Sequence, residues 1–174
     1  FLTNHIGHFI LVTGLIDQLA DDGRVVMLSS GAHYYARKSG LELDNISGER
    51  DYNDWRMYGR SKLANIQFAN ALNRRFAGSN RTANAVHPGV IDTNLARHIP
   101  ERDAMYAKLS KQVRLKTVEQ GAATQCLVAT RPELAGVGGL YFSDCQTNST
   151  AAIAGDVEQS EALWMISEDW VRGL

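Results

Sequence analysis

The chain is short of the residues that mark a disulfide-stapled, membrane-spanning or nucleic-acid-binding protein. Its 174 residues include two cysteines, Cys126 and Cys145. They form no Cys-x-x-Cys pair and no disulfide framework, so a reducing, cytoplasmic compartment is the expectation. No stretch approaches the roughly 20 apolar residues needed to span a bilayer. Eighteen basic side chains stand against 19 acidic ones, a net charge of −1. A protein that binds by neutralising phosphates needs an excess of positive charge, so no nucleic-acid partner is expected. The opening Phe1-Leu2-Thr3-Asn4-His5 has neither a basic region nor a cleavage pattern and does not read as a signal peptide. What remains is an ordinary globular composition, 44% hydrophobic and 21% charged, expected to form a single domain over residues 1–174.

Helical and strand patterns alternate along the chain. Residues 3–20 carry Ile6, Phe9, Ile10, Leu15, Ile16 and Leu19, which predicts a helix buried on more than one face. Residues 24–30 are a continuous apolar run of strand length, typical of a parallel strand covered on both faces. A polar segment from Gly31 to about Asp54 reads as loop. Leu63, Ile66, Ala69, Leu72 and Phe76 predict a helix over 57–77, stopped by Gly78. A strand over 81–87 runs into Pro88-Gly89, and residues 92–116 read as short helices. Thr117 to Gln120 has capping-box spacing before a helix that Pro132 ends. Residues 138–143 predict a third strand and 158–171 a last helix. This order implies an α/β domain with a right-handed parallel sheet.

Ligands of such sheets sit beyond the carboxyl ends of the strands. One such end delivers Ser29, Ser30 and Gly31; the other delivers Pro88 and Gly89, with Thr93 just beyond. Between them a helix opens with Tyr58-Gly59-Arg60-Ser61-Lys62, and the four-residue step puts Tyr58 and Lys62 on one face. A tyrosine acting as a base near pH 7 needs its pKa lowered by roughly three units, about 4 kcal/mol. An ammonium about 4 Å away at an effective dielectric of about 20 supplies on the order of 4 kcal/mol. By itself a Tyr-x-x-x-Lys pair is more often an exposed helical pair than a catalytic one.

The motifs occur together and in order: Asn4-His5-Ile6-Gly7-His8-Phe9, Ser29-Ser30-Gly31-Ala32-His33, Tyr58 to Asn65, and His87-Pro88-Gly89-Val90. In this the chain resembles the short-chain dehydrogenase/reductase family, in its retinol-dehydrogenase-like and WW-domain-oxidoreductase-like branch. The resemblance implies a Rossmann-like doubly wound parallel sheet and an oxidoreductase transferring hydride between NAD or NADP and an alcohol or carbonyl. It implies that Tyr58 is the general acid/base, that Lys62 lowers its pKa and binds the nicotinamide ribose, and that Ser30 orients the substrate oxygen. It further implies that Asn4 belongs to a proton relay and that Pro88, Gly89, Val90 and Thr93 contact the nicotinamide end of the cofactor. The segment after Thr93 matches a lid whose composition hints at a bulky apolar substrate. Helices 3–20 and 57–77 match the family's dimerisation surface, so a homo-oligomer is implied. The family's glycine-rich phosphate turn and its ribose-selecting residue are not found, and Gly136-Val137-Gly138 precedes a strand instead of following one. The expectation is therefore a fold lacking its amino-terminal nucleotide-binding half. The competing expectation is an inactive truncated chain serving as an interaction module.

Other candidates read as structural. His5 and His8 lack a third ligand at metal-binding spacing, so packing roles and no metal are expected. Lys108, Lys111, Arg114 and Lys116 read as a solvated basic face. Cys126 reads as core, and Leu163, Ile166 and Trp170 as an apolar stripe docking the tail on the body. Asn45-Ile46-Ser47 and Asn148-Ser149-Thr150 match glycosylation sequons with no secretion signal in support.

Overall fold

A computed structural model describes residues 1–91, 93 and 100–173. Its sheet has the strand order β1 (Arg24–Leu28), β2 (Thr82–His87), β3 (Tyr141–Ser143), β4 (Gln146–Thr147). β1 pairs with β2 in parallel from Arg24↔Thr82 to Leu28↔Val86, and β2 pairs with β3 in parallel from Ala85↔Tyr141 to His87↔Ser143. The third strand is thus shorter than the sequence suggests. Asp144 and Cys145, with φ of 52° and 61°, turn the chain back so that β4 runs antiparallel. Two consecutive positive-φ residues make the tight hairpin turn that matches strand twist.

Helices are α1 (Gly7–Leu15), α2 (Asp54–Arg75), α3 (Arg102–Leu109), α4 (Val118–Thr130) and α5 (Val157–Arg172). Side chains alternate across the strands, so Met27, Ala83, Ala85 and Tyr141 face one core with α1, α2 and α5. Val86 and Phe142 face a second, smaller core with Val128 of α4. Helices therefore cover both faces, as a doubly wound sheet requires. Asn53 caps α2 by accepting from Arg56 N at 2.9 Å, and the capping box at Thr117 is complete, with Gln120 N donating at 3.3 Å and Thr117 N at 3.1 Å. α5 docks through Leu163 and Trp164, and Glu161 pairs with Arg74 and Arg75 of α2.

The expected helix over 3–20 is broken. It starts as a π-turn at Leu2–Ile6, becomes α1, and ends as a 3₁₀ turn at Ile16–Gln18. The wider π-turn admits one more residue and directs both Asn4 and His5 at α2. At the other end Thr13 bonds back to Phe9 O at 2.7 Å, and Arg81 donates to the carbonyls of Leu19 and Ala20. The expected loop 31–54 contains two 3₁₀ turns, Gly31–Tyr35 and Leu43–Asn45; fully buried Arg60 holds the second by donating to Glu42 O and Asn45 O. Of the short helices expected over 92–116, α3 lies among the described residues; 92 and 94–99 lie outside them. Cys126 is exposed on α4, not core, because the helix presents Thr124 and Val128 inward. α2 is buried along most of its length within the chain and exposes Trp55 near its start, while α1 exposes Ile10, Leu11 and Leu15.

Candidate active site

β1 ends against α2. Leu28 O accepts from Asn65 Nδ2 at 3.0 Å and from the Lys62 ammonium at 3.3 Å. Ser29, buried, donates its hydroxyl to Lys62 O at 2.7 Å. Ser30 then opens the 3₁₀ turn, its Oγ accepting from Ala32 N at 3.1 Å. Gly59 explains how α2 meets this turn, because a Cβ there would stand 2.6 Å from Ala32 O. That close approach brings Tyr58 beside the Ser30 turn, near enough for Ser30 to act on the tyrosine's ionisation. Asn4 reaches the same turn of α2, donating to Ser61 Oγ at 3.1 Å, while Ser61 donates to Tyr58 O at 2.7 Å.

The electrostatics differ from the sequence arithmetic. The Lys62 ammonium lies over the Tyr58 ring, 5.7 Å from its centroid. Burial holds the Tyr58 pKa above its ordinary value, and the nearby Ser30 side chain opposes that shift. Burial likewise pushes the Lys62 ammonium below its ordinary value.

The second strand end lies beside the first, since a Cβ on Gly31 would stand 3.5 Å from His87 Nε2. Beyond His87 the loop is shaped by Lys116. Its backbone N–H donates to Val90 O at 2.9 Å, its ammonium donates to Pro88 O at 3.1 Å, and it pairs with Asp144 at 2.7 Å. The expected solvated face therefore loses Lys116, whose side chain is 17% exposed because it lies on this loop. Gly89 has φ of +99°, and a Cβ there would stand 2.6 Å from Lys116 Cδ. Tyr106 of α3, buried, donates to Ile91 O at 3.1 Å and adds to the upward shift of Tyr58. Thr93 follows, half-buried. The structure thus gathers Asn4, Ser30, Tyr58 and Lys62 at one strand end and Pro88, Gly89 and Val90 at the next.

His5 is a packing residue, buried, with Nε2 3.0 Å from Ser167 Oγ and Nδ1 3.4 Å from Asn65 Oδ1. Among the described residues no group of three His, Cys, Asp or Glu could hold a metal, and no helix is long and apolar enough to cross a membrane. Lys116, Tyr106 and Asn65 are parts of the site that sequence reasoning missed. Asn65 alone carried a local signal, one turn after Lys62 on the same face.

A family model described as enoyl-(acyl carrier protein) reductase matches residues 3–130. The chain belongs to the short-chain dehydrogenase/reductase family. It is 42% identical to the chloroplastic short-chain dehydrogenase TIC 32 B of Brassica napus, over 100% of this chain and 57% of that protein. It is 39% identical to human retinol dehydrogenase 14, over 97% of this chain and 50% of that protein. A crystal structure of an uncharacterized protein from Mycobacterium paratuberculosis superposes with a TM-score of 0.72 at 32% identity, covering 96% of this chain and 56% of that one. The chain thus spans about half the length of the curated relatives it matches.

Proposed function

We propose that the protein carrying this chain is a nicotinamide-dependent oxidoreductase of apolar alcohols and their carbonyl counterparts, with Tyr58 as general acid/base. The observation that carries the reading is the meeting of α2 with the Ser30 turn at the carboxyl end of β1, where Gly59 lies against Ala32 O and the Lys62 ammonium lies 5.7 Å from the Tyr58 ring. The substrate class is supported by a relative named for retinol and by the buried aromatic Tyr106 near Tyr58.

The residues present fit the nicotinamide end of the cofactor. The Lys62 ammonium has three donors, of which one is engaged, by Leu28 O, leaving donors for ribose hydroxyls. His87 Nδ1, buried without a partner among the described residues, offers a polar contact beside Pro88. Lys62 and the Pro88–Val90 backbone, with Thr93, are the residues that would hold NAD or NADP. When bound, that group accepts or supplies the hydride.

The proton falls to this chain. Tyr58 Oη takes it from the alcohol in oxidation and returns it to the carbonyl oxygen in reduction. Ser30 Oγ holds that same oxygen in line. Burial opposes ionisation of Tyr58, and Ser30 is what counters it. Asn4, fixed on Ser61, borders the route by which the proton leaves. Tyr58→Phe removes the proton carrier and keeps the ring packing. Its expected kcat with an apolar alcohol falls about 10²- to 10⁴-fold while nicotinamide affinity stays within about twofold. Turnover within about threefold of the unsubstituted protein would remove Tyr58 from this role.

A further inference from the structure

His33 is fully buried three residues after Ser30, and both of its ring nitrogens are committed. Nδ1 lies 2.7 Å from Ser30 O, and Nε2 lies 3.1 Å from the backbone N of Ala151. A carbonyl only accepts and an amide N–H only donates, so the proton is on Nδ1 and Nε2 is bare. The ring is wedged between Tyr34, centroid 4.0 Å away, and the edge of Tyr141 at 5.2 Å. The backbone N–H of His33 donates to the same Ser30 carbonyl at 3.1 Å, so two donors of one residue fix that peptide plane. Tyr34 reinforces the joint by donating to Ser149 O at 3.1 Å.

We propose that His33 is a positioning residue for Ser30: as a neutral Nδ1–H imidazole it clamps the Ser30 carbonyl, anchors it to Ala151, and so aims the serine hydroxyl at Tyr58 and the reacting oxygen. The proposal rests on the catalytic reading of Ser30 and Tyr58 given above. A peptide plane free to rotate would carry the Ser30 Cβ off line, and small misplacements of an orienting group are costly in rate. Ala151 leads directly into the 3₁₀ turn Ala152–Gly155 and α5, so the clamp ties the serine to the carboxyl-terminal helix. Burial also pushes the His33 pKa below its ordinary value, in keeping with a ring that stays neutral.

Two substitutions separate the two bonds. His33→Asn places an amide where Nδ1 stands, able to donate to Ser30 O and too short for Ala151. His33→Gln places one where Nε2 stands, able to reach Ala151 and leaving Ser30 O. Both lose the same aromatic packing, so a purely structural role affects both alike. In the protein carrying this chain, His33→Gln is expected to lower kcat about tenfold or more with KM within about twofold, and His33→Asn to stay within about threefold. Equal losses in both variants, tracking thermal stability, would overturn the clamp. Nitrogen-15 NMR of the unsubstituted protein reads the tautomer without any turnover: a protonated Nδ1 and bare Nε2 between about pH 6 and 8 are expected, and a protonated Nε2 overturns the proposal. Absence of turnover together with the expected tautomer would overturn the catalytic reading, and with it the positioning role, leaving only the structural contact.

Discussion

The carboxyl ends of β1 and β2 lie side by side, and the chain holds them by different means. At β1 the partners are core atoms: Lys62 and Asn65 on Leu28 O, Ser29 on Lys62 O, His33 on Ser30 O. At β2 the described part of the loop hangs mainly from Lys116, whose partner Asp144 is 64% exposed, with Tyr106 holding Ile91 O. The side proposed to handle the proton is therefore continuous with the folded core and rises or falls with it. The side proposed to hold the cofactor is a local structure that can shift without unfolding the sheet. A hydride-transfer site benefits from both, because acid–base geometry must be fixed while a cofactor must enter and leave.

Acid should strike the β1 side hardest. His5 supports Asn65, and burial holds its pKa at about 4 instead of 6.5, with the Asn65 hydrogen bond opposing the shift. A histidine kept neutral by folding contributes stability that is full above about pH 6.5 and is lost as pH falls toward 4, about 3 kcal/mol in all. Urea titrations at neutral pH and at about pH 4.5 check this; an unchanged midpoint would mean that His5 does not couple the helices.

Asn65→Leu is the next largest. It removes a fully buried amide between Leu28 O and His5, leaves His5 Nδ1 without its partner, and should cost roughly 2–3 kcal/mol by denaturant unfolding. Activity should fall in step with the folded fraction.

Gly89→Ala tests the other side. A φ of +99° and a Cβ 2.6 Å from Lys116 Cδ force the loop to move, at about 1–2 kcal/mol of stability. Nicotinamide affinity, followed by fluorescence titration, should drop about tenfold, out of proportion to that cost. Smallest of all is Asp144→Asn: an ion pair this exposed contributes about 0.5 kcal/mol or less, and its effect should vanish in high salt. A large, salt-independent loss in this variant would place the β2 loop in the core after all.

The same contrast explains what could be read from the sequence. Tyr58 and Lys62, the Thr117 capping box and strands β1 and β2 are written in spacings of a few residues, and each lies in the structure where those spacings put it. The clamp of His33 on Ala151 spans 118 residues and the hold of Lys116 on Pro88 spans 28, so no local period announces either. Lys116 reads as one more cation in a basic run until the fold brings Pro88 to it. The π-turn that aims Asn4 is hidden for a related reason, since Ile6, Phe9 and Ile10 keep an ordinary helical period across it. The direction of the Lys62 ammonium also depends on where Leu28 O ends up, which is why the simple charge arithmetic for Tyr58 fails.

Hydrogen exchange compares the two strand ends most directly. The amides of Ser29 and His33, bonded to Val86 O and Ser30 O, should exchange only with global unfolding. The Lys116 amide, bonded to Val90 O, should exchange through local opening, at least about tenfold faster. Equal protection of all three amides would contradict the account, because the loop proposed to hold the cofactor would then be as much a part of the core as the serine and tyrosine beside it.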